Sequence, residues 1–284
     1  MPRFFLTMKT LNVIGCGRVG QTLAALLHQH GMCVVQDLYS RTPASAEQAA
    51  RFVGAGCAAP SLAAMRPADL WLISVPDGQI ADVAAQLAEA QGQALKGAVA
   101  WHNSGFLSAE VLAPLQAMGA STASVHPVLS FATPASAVAQ FAGTLCGLEG
   151  QPEALAVLRP WVAAIGGQGF GIESAKKPLY HAAAVFCSNF TVVLQGVAQE
   201  AWRESGVPVE LLAPLTQALL QSSVFNVAKL GPAEALTGPA ARGDTAVVQR
   251  QAEVVQAWHP QAGEAYRLLS DMATKLKRTG RTQG

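Results

Sequence analysis

Short apolar runs alternate with helical periodicities from residue 11 to about residue 171, and there the alternation stops. Residues 11–14 form an apolar run of strand length. Behind it Val19, Leu23, Leu26 and Leu27 recur at i, i+4, i+7 and i+8, one face of a helix, with Gly31 placed to end it. Residues 33–39 predict a second, Val-rich strand, 57–59 a weak third and 70–75 a clear fourth. Ile80, Val83, Ala84 and Leu87 then mark another helical face. Strands at 97–101, 121–125 and 144–148 follow, then a helix carrying Leu155, Leu158, Trp161 and Val162, and a last strand at 168–172. Strands alternating with helices imply a mainly parallel sheet covered on both faces. Beyond Ser174 the pattern is helical throughout, with helices expected over 178–205, 210–229, 244–258 and 262–277 and Gly-Pro punctuation between them. The predicted organisation is a doubly wound α/β domain over 8–174 and an all-helical domain over 175–284.

Composition narrows the function classes. Half of the 284 residues are apolar and 13% are charged, enough for a large core. The net charge of +1 comes from scattered Lys and Arg, which argues against nucleic acid as a partner. Cys16, Cys33, Cys57, Cys146 and Cys187 are dispersed with no C-x-x-C pair, so reduced thiols are expected and neither a disulfide frame nor a metal site. The first ten residues hold only the apolar run Phe4-Phe5-Leu6, too short for a signal segment. No run is read as approaching the roughly 18 apolar residues of a membrane span, and a cytoplasmic protein is expected.

The chemistry concentrates at predicted strand ends. Gly15-Cys16-Gly17-Arg18-Val19-Gly20 matches G-x-G-x-x-G directly after an apolar strand and opens an amphipathic helix. Gly15 permits the tight turn, Gly17 lets backbone approach a diphosphate, Gly20 lets the helix pack close to the strand, and the helix N-terminus offers free N–H donors. This is the dinucleotide-binding arrangement of the Rossmann fold. At the end of the second strand stands Ser40-Arg41-Thr42, a guanidinium between hydroxyls, which suits a 2′-phosphate and hence NADP(H). Were that strand to end two or three residues earlier, Asp37 would take the acidic position typical of NAD sites. Val75-Pro76-Asp77 follows the fourth strand and belongs beside the cofactor or to an ordinary strand-ending turn.

Two further strand ends open onto the same crevice. Ser104, in His102-Asn103-Ser104-Gly105, is a candidate for the nicotinamide amide or a substrate carbonyl. His126, before Pro127, is a candidate general acid or base. In the helix over 178–205, a wheel zeroed on Lys177 places His181 at about 40°, Ser188 at about 20° and Asn189 off the stripe at about 120°. The rest of that helix is apolar, which belongs to an interior or to a subunit interface, here a homodimer. The Lys177–His181–Ser188 stripe then faces either the cofactor cleft or solvent. Asn189 is a further candidate, for the reacting group or for a bridge to a neighbouring helix. Arg242, in the Gly/Pro-shaped turn before Asp244, is a candidate for an anionic substrate group or the cofactor phosphate.

Taken together, G-C-G-R-V-G, V-P-D, H-N-S-G-F-L-S-A-E-V-L-A-P-L, S-V-H-P, K-P-L-Y-H-A-A-A-V-F-C-S-N and L-T-G-P-A-A-R-G-D resemble one bacterial family of predicted oxidoreductases. Its members join a Rossmann-like domain to a C-terminal helical domain of unknown function, and the resemblance runs from about Leu11 to Lys277. More distantly the arrangement is similar to pyrroline-5-carboxylate reductase, prephenate dehydrogenase and the 3-hydroxyacid dehydrogenases. The resemblance implies hydride transfer to or from NADP(H), with a small carbonyl, imine or hydroxy-acid substrate held between the domains and dimerisation through the helices. The His-Pro pair matches prephenate dehydrogenase, which implies a catalytic role for His126. The 3-hydroxyacid dehydrogenases use a Lys with an Asn four residues later, whereas His181 is fourth after Lys177 and Asn189 is twelve away. The Ser/Gly/Thr-rich substrate loop of pyrroline-5-carboxylate reductase is missing. A non-catalytic NADP(H) sensor on a retained dehydrogenase fold is the alternative.

Overall fold

The computed structural model describes residues 8–283, so the Phe4-Phe5-Leu6 run lies outside the described residues. Strands β1 (Thr10–Ile14), β2 (Val34–Tyr39), β3 (Cys57–Ala58), β4 (Leu70–Ile73), β5 (Val99–His102), β6 (Ser121–Pro127), β7 (Leu145–Gly150) and β8 (Gln168–Gly171) form one eight-stranded sheet. Their order is β3-β2-β1-β4-β5-β6-β7-β8, and every neighbouring pair is parallel except β6 with β7. Helices α1 (Arg18–Gln29), α2 (Pro43–Val53), α3 (Asp77–Gln91), α4 (Ala113–Ala117), α5 (Pro134–Gln140) and α6 (Pro152–Ala164) make the connections. This is the doubly wound α/β architecture expected from the alternating pattern.

Alternate residues along each strand feed two cores. Leu11, Val13, Leu70, Leu72 and Trp101 pack with Leu23, Leu27 and Leu158, whereas Ile14, Trp71 and Ile73 pack on the other face with Ile80, Ala84 and Leu87. Full burial of such side chains contributes about 1.5–3 kcal/mol each, which is why these strands read as continuous apolar runs. Strand order reverses between β1 and β4, the topological switch point at which open α/β sheets bind ligands beyond their carboxyl ends.

The C-terminal helices are α7 (Lys177–Cys187), α8 (Asn189–Glu204), α9 (Val209–Leu230), α10 (Pro232–Ala235), α11 (Pro239–Arg242), α12 (Thr245–Trp258) and α13 (Pro260–Thr279). The single helix expected over 178–205 is therefore two, broken at Ser188, a turn residue with φ −111° and ψ −69° between the end of α7 and the start of α8. Ser-Asn is a pair whose side chains compete for backbone groups and favour helix ends. The chain divides into two compact units at the same place, Met1–Ser188 and Asn189–Gly284. The last strand ends at Gly171, but the compact division falls at 188, because α7 is tied to the sheet through Lys177 and Tyr180. By length and composition Ser174–Glu204 is long and apolar enough to cross a membrane, with a mean hydropathy of 1.3. This corrects the expectation that no run reaches span length. That stretch is interrupted at Ser188 and carries the buried Lys177 ion pair in its first half.

Candidate active site

The first unit holds a cleft of about 490 Å³ at the switch point, in the size range of small-molecule sites. Its lining includes Gly15, Cys16 and Gly17 after β1, Ser40 and Arg41 after β2, Ser45 on α2, and Val75 and Pro76 after β4. Gly15 has φ +95°, and an added Cβ there would run into the backbone of Ser74. A Cβ on Gly17 would meet nothing within 4 Å, so this glycine leaves its own backbone bare. Gly17 caps α1 without a side-chain hydrogen bond, and the first-turn N–H groups of a 12-residue helix stand behind it. These features fit a dinucleotide diphosphate. The Gly15 amide and the Cys16 thiol both donate to the Tyr39 carbonyl, which locks the loop to the end of β2. Burial pushes the Cys16 thiol up to about 12, so it is an inert packing group.

Val19 and Gly20 lie in α1, and Gly20 has no room for a side chain against the Gly15 carbonyl. Arg18 is exposed and donates to the Phe131 carbonyl at 3.5 Å. Thr42 is the N-cap of α2 and accepts from the Ser45 amide, so it shapes the turn that presents Ser45. Asp37 does not reach the cleft. β2 runs on to Tyr39, and Asp37 is 5% exposed with its carboxylate held by the Arg66 guanidinium and backbone amide.

A second group of side chains gathers at the ends of β5, β6 and β7. His126 Nδ1 lies 2.9 Å from the Tyr180 hydroxyl, and the His126 and His181 rings meet edge to face with centroids 5.5 Å apart. A Cβ on Gly147, the β7 partner of His126, would run into Ile172 and stand 3.1 Å from the Tyr180 hydroxyl. Burial, then the neighbouring His181 and Lys177, pull His126 down to about 4, so its imidazole is neutral at pH 7. Burial pushes the Tyr180 phenol up to about 12, so it keeps its proton. The consistent arrangement has the phenol donating to Nδ1, which leaves the His126 proton on Nε2. His181 Nδ1 is buried with no hydrogen-bond partner among the described residues.

The Ser104 loop joins this cluster to the cleft. Asp77, the residue after the cleft-lining Pro76, accepts from the Ser104 hydroxyl at 2.8 Å. The same hydroxyl accepts from the Phe106 and Leu107 amides. Ser104 is thus 5% exposed and committed within the loop rather than presented to a ligand. His102 beneath it accepts from the Ser104 amide through Nδ1 and donates to the Ser108 carbonyl through Nε2. Burial and the nearby Lys177 charge hold it neutral, down to about 3.

Lys177 is not placed to touch a substrate. Its side chain is 1% exposed, and its ammonium donates to the Ser104 carbonyl at 3.0 Å, to the Ser124 hydroxyl and to Glu149 Oε1 at 3.2 Å. Glu149 also takes the Ala109 amide and the Ser174 hydroxyl. Burial lowers the Lys177 pKa, and the charge of Glu149 opposes that. Ser188 is exposed at the end of α7, seven residues beyond His181 and so about 10 Å along the axis. Asn189 and Arg242 belong to the second compact unit. The wheel therefore grouped Lys177 and His181 on the correct helix, but the break at Ser188 ends its reach.

Sequence reading missed Tyr180, Glu149, Ser124 and Ser45. Tyr180 sits inside the recognised K-P-L-Y-H string with no motif of its own. Glu149 carried one usable signal, a carboxylate inside a strand that is otherwise apolar and glycine.

Two family models match, a Rossmann-like domain over residues 7–127 and a domain of unknown function, DUF2520, over residues 144–273. None of the curated proteins matches the chain in sequence. Among solved structures, a candidate NADP oxidoreductase from Bacteroides fragilis is 26% identical with a TM-score of 0.77, covering 94% of this chain and 98% of that one. A protein from Thermotoga maritima is 28% identical with a TM-score of 0.74, covering 95% and 99%. An imine reductase from Myxococcus stipitatus in complex with NADP+ is 20% identical with a TM-score of 0.67, covering 96% of each, and shares the fold. The chain thus matches a Rossmann-like domain model in its first half and the DUF2520 model in its second, and it shares its fold with a candidate NADP oxidoreductase and an imine reductase.

Proposed function

We propose that this chain is an NADP(H)-dependent oxidoreductase that transfers hydride to or from a small carbonyl, imine or hydroxy-acid compound. The observation that carries the reading is adjacency. The Asp77–Ser104 bond ties the wall of the cleft around the glycine loop to the loop beside a Tyr180–His126 proton-holding pair. Bound nicotinamide supplies the hydride. Gly15, Gly17 and the start of α1 hold the diphosphate, with Arg18 at its rim. Ser40, Arg41 and Ser45 take the 2′-phosphate, favoured because Asp37 is committed to Arg66. Tyr180 and His126 place a proton at the nitrogen or oxygen that gains negative charge, with the substrate against His126 and His181. The imine reductase and the Bacteroides fragilis oxidoreductase support this class.

The test is fluorescence titration with NADPH and NADH, followed by an NADPH-oxidation screen of imines, keto acids and aldehydes, wild type beside Tyr180→Phe. Removing a general acid costs about 10²–10⁴-fold in rate, and NADPH affinity should stay unchanged. Full activity in Tyr180→Phe removes Tyr180 from the chemistry. Tight NADPH binding without turnover on any class favours the sensor reading, and no NADPH binding overturns both. A cytoplasmic homodimer joined through its helices completes the proposal. Phe225, Val224, Leu219, Val192 and Leu268 are each more than half exposed, more apolar surface than a lone unit leaves in water.

A further inference from the structure

Lys177 is the most deeply buried charged side chain among the described residues, 1% exposed, yet it stands one helical turn before His181. An ammonium has three N–H donors, and all three have protein acceptors: the Ser104 carbonyl, the Ser124 hydroxyl and Glu149. None is left for a substrate. Each anchor leads to the proton-holding cluster. The Ser104 carbonyl belongs to the peptide of Gly105, and a Cβ on Gly105 would stand 2.5 Å from His181 Nδ1 and 2.8 Å from His126 Nε2. Ser124 lies two residues before His126 on β6, and Glu149 pairs with it from β7. Lys177 itself opens α7, which carries Tyr180 and His181. One ammonium therefore joins all four elements that hold the cluster together.

We infer that Lys177 is a positioning residue: by clamping Ser104, Ser124 and Glu149 it sets the Gly105 backbone against His126 and His181, and it gives no proton to the substrate. The inference rests on the proposed function only in taking that cluster as the proton donor.

The test is Lys177→Met combined with Glu149→Gln, which removes both charges and strands neither. Proton NMR of the imidazole Cε1–H signals of ligand-free protein, assigned with His126→Asn and His181→Asn, reads the geometry without any turnover. The expected result is a folded variant in which both signals move. Its NADPH dissociation constant stays within about threefold, and kcat falls about 100-fold, the penalty of an ångström-scale misplacement, with little change in KM. Unmoved imidazole signals in the folded variant, or a wild-type kcat, overturn the inference. If the double variant does not fold, Ser124→Ala removes one neutral anchor and the same signals decide. A wild-type protein inactive on every carbonyl and imine would sink the oxidoreductase reading while the imidazole signals still judge the clamp.

Discussion

Gly105→Ala puts one methyl group where the proposed chemistry happens. The backbone at Gly105 is not in the left-handed region, so alanine is conformationally allowed and its whole effect is steric. The new Cβ would lie 2.5 Å from His181 Nδ1 and 2.8 Å from His126 Cε1 and Nε2, where ordinary contact begins at 3.4 Å. Relief requires the two rings or the loop to yield by between half and one ångström. The loop cannot yield freely, because the Ser104 carbonyl is clamped by Lys177 and the Ser104 hydroxyl by Asp77 and two amides. The rings must move, and His126 carries its bond to Tyr180 with it. Overpacking of this kind costs about 1–3 kcal/mol of stability, and misplacement on this scale about 100-fold in rate. Gly105 does not line the cofactor cleft, so NADPH affinity should hold. The assay is kcat at saturating NADPH, a fluorescence titration for affinity and a thermal melt for the fold. Gly17→Ala is the control with the opposite signature: nothing lies within 4 Å of its Cβ, so the fold persists while NADPH affinity falls. A folded Gly105→Ala enzyme with wild-type kcat refutes the placement of the reaction at His126 and Tyr180.

Arg41→Ala should raise the NADPH dissociation constant about 10–100-fold, the worth of a lost charged hydrogen-bonding partner, with little change for NADH; equal losses for both would remove the 2′-phosphate role. Stability should fall as pH drops below about 6.5. The unfolded chain protonates His102 and His126 near that value, while the folded chain holds them neutral down to about 3 and about 4, so across this window the unfolded state binds the extra protons. The slope is on the order of 1–3 kcal/mol per pH unit, read from urea melts between pH 7 and 5, and a flat profile would show both imidazoles solvated. Size-exclusion chromatography with light scattering should give twice the 29.5 kDa chain mass at micromolar concentration, and a monomer would leave the exposed apolar helix faces unexplained.

The parts of this fold that were legible in the sequence are those fixed by local physics. Strand runs such as Leu70-Trp71-Leu72-Ile73 are apolar on both faces because both faces are buried, and G-x-G-x-x-G after such a run has few other uses. The antiparallel β7 was not legible as such, because direction is set by where the chain returns and not by the residues of the strand. The break at Ser188 was hidden for a related reason. The apolar periodicity runs on across it, and only the Ser-Asn pair hints that the helix ends.

The site residues divide along the same line. Arg41 could be placed at the cleft because its position there follows from distance along the chain from the glycine loop. Lys177 and Ser104 were singled out correctly as unusual and given the wrong partners. A polar side chain in apolar surroundings announces that it has a reason to be there, but the sequence does not say whether that reason is a ligand or another buried group. For Lys177 the answer lies 28 residues away, in Glu149. A buried cation must find its counter-charge or lose its proton, so the two residues act as one unit. The polar stripe that looked like a row of catalytic groups is therefore a strut with one imidazole beside it, and the proton-bearing hydroxyl comes from Tyr180, one residue before His181 on the same helix.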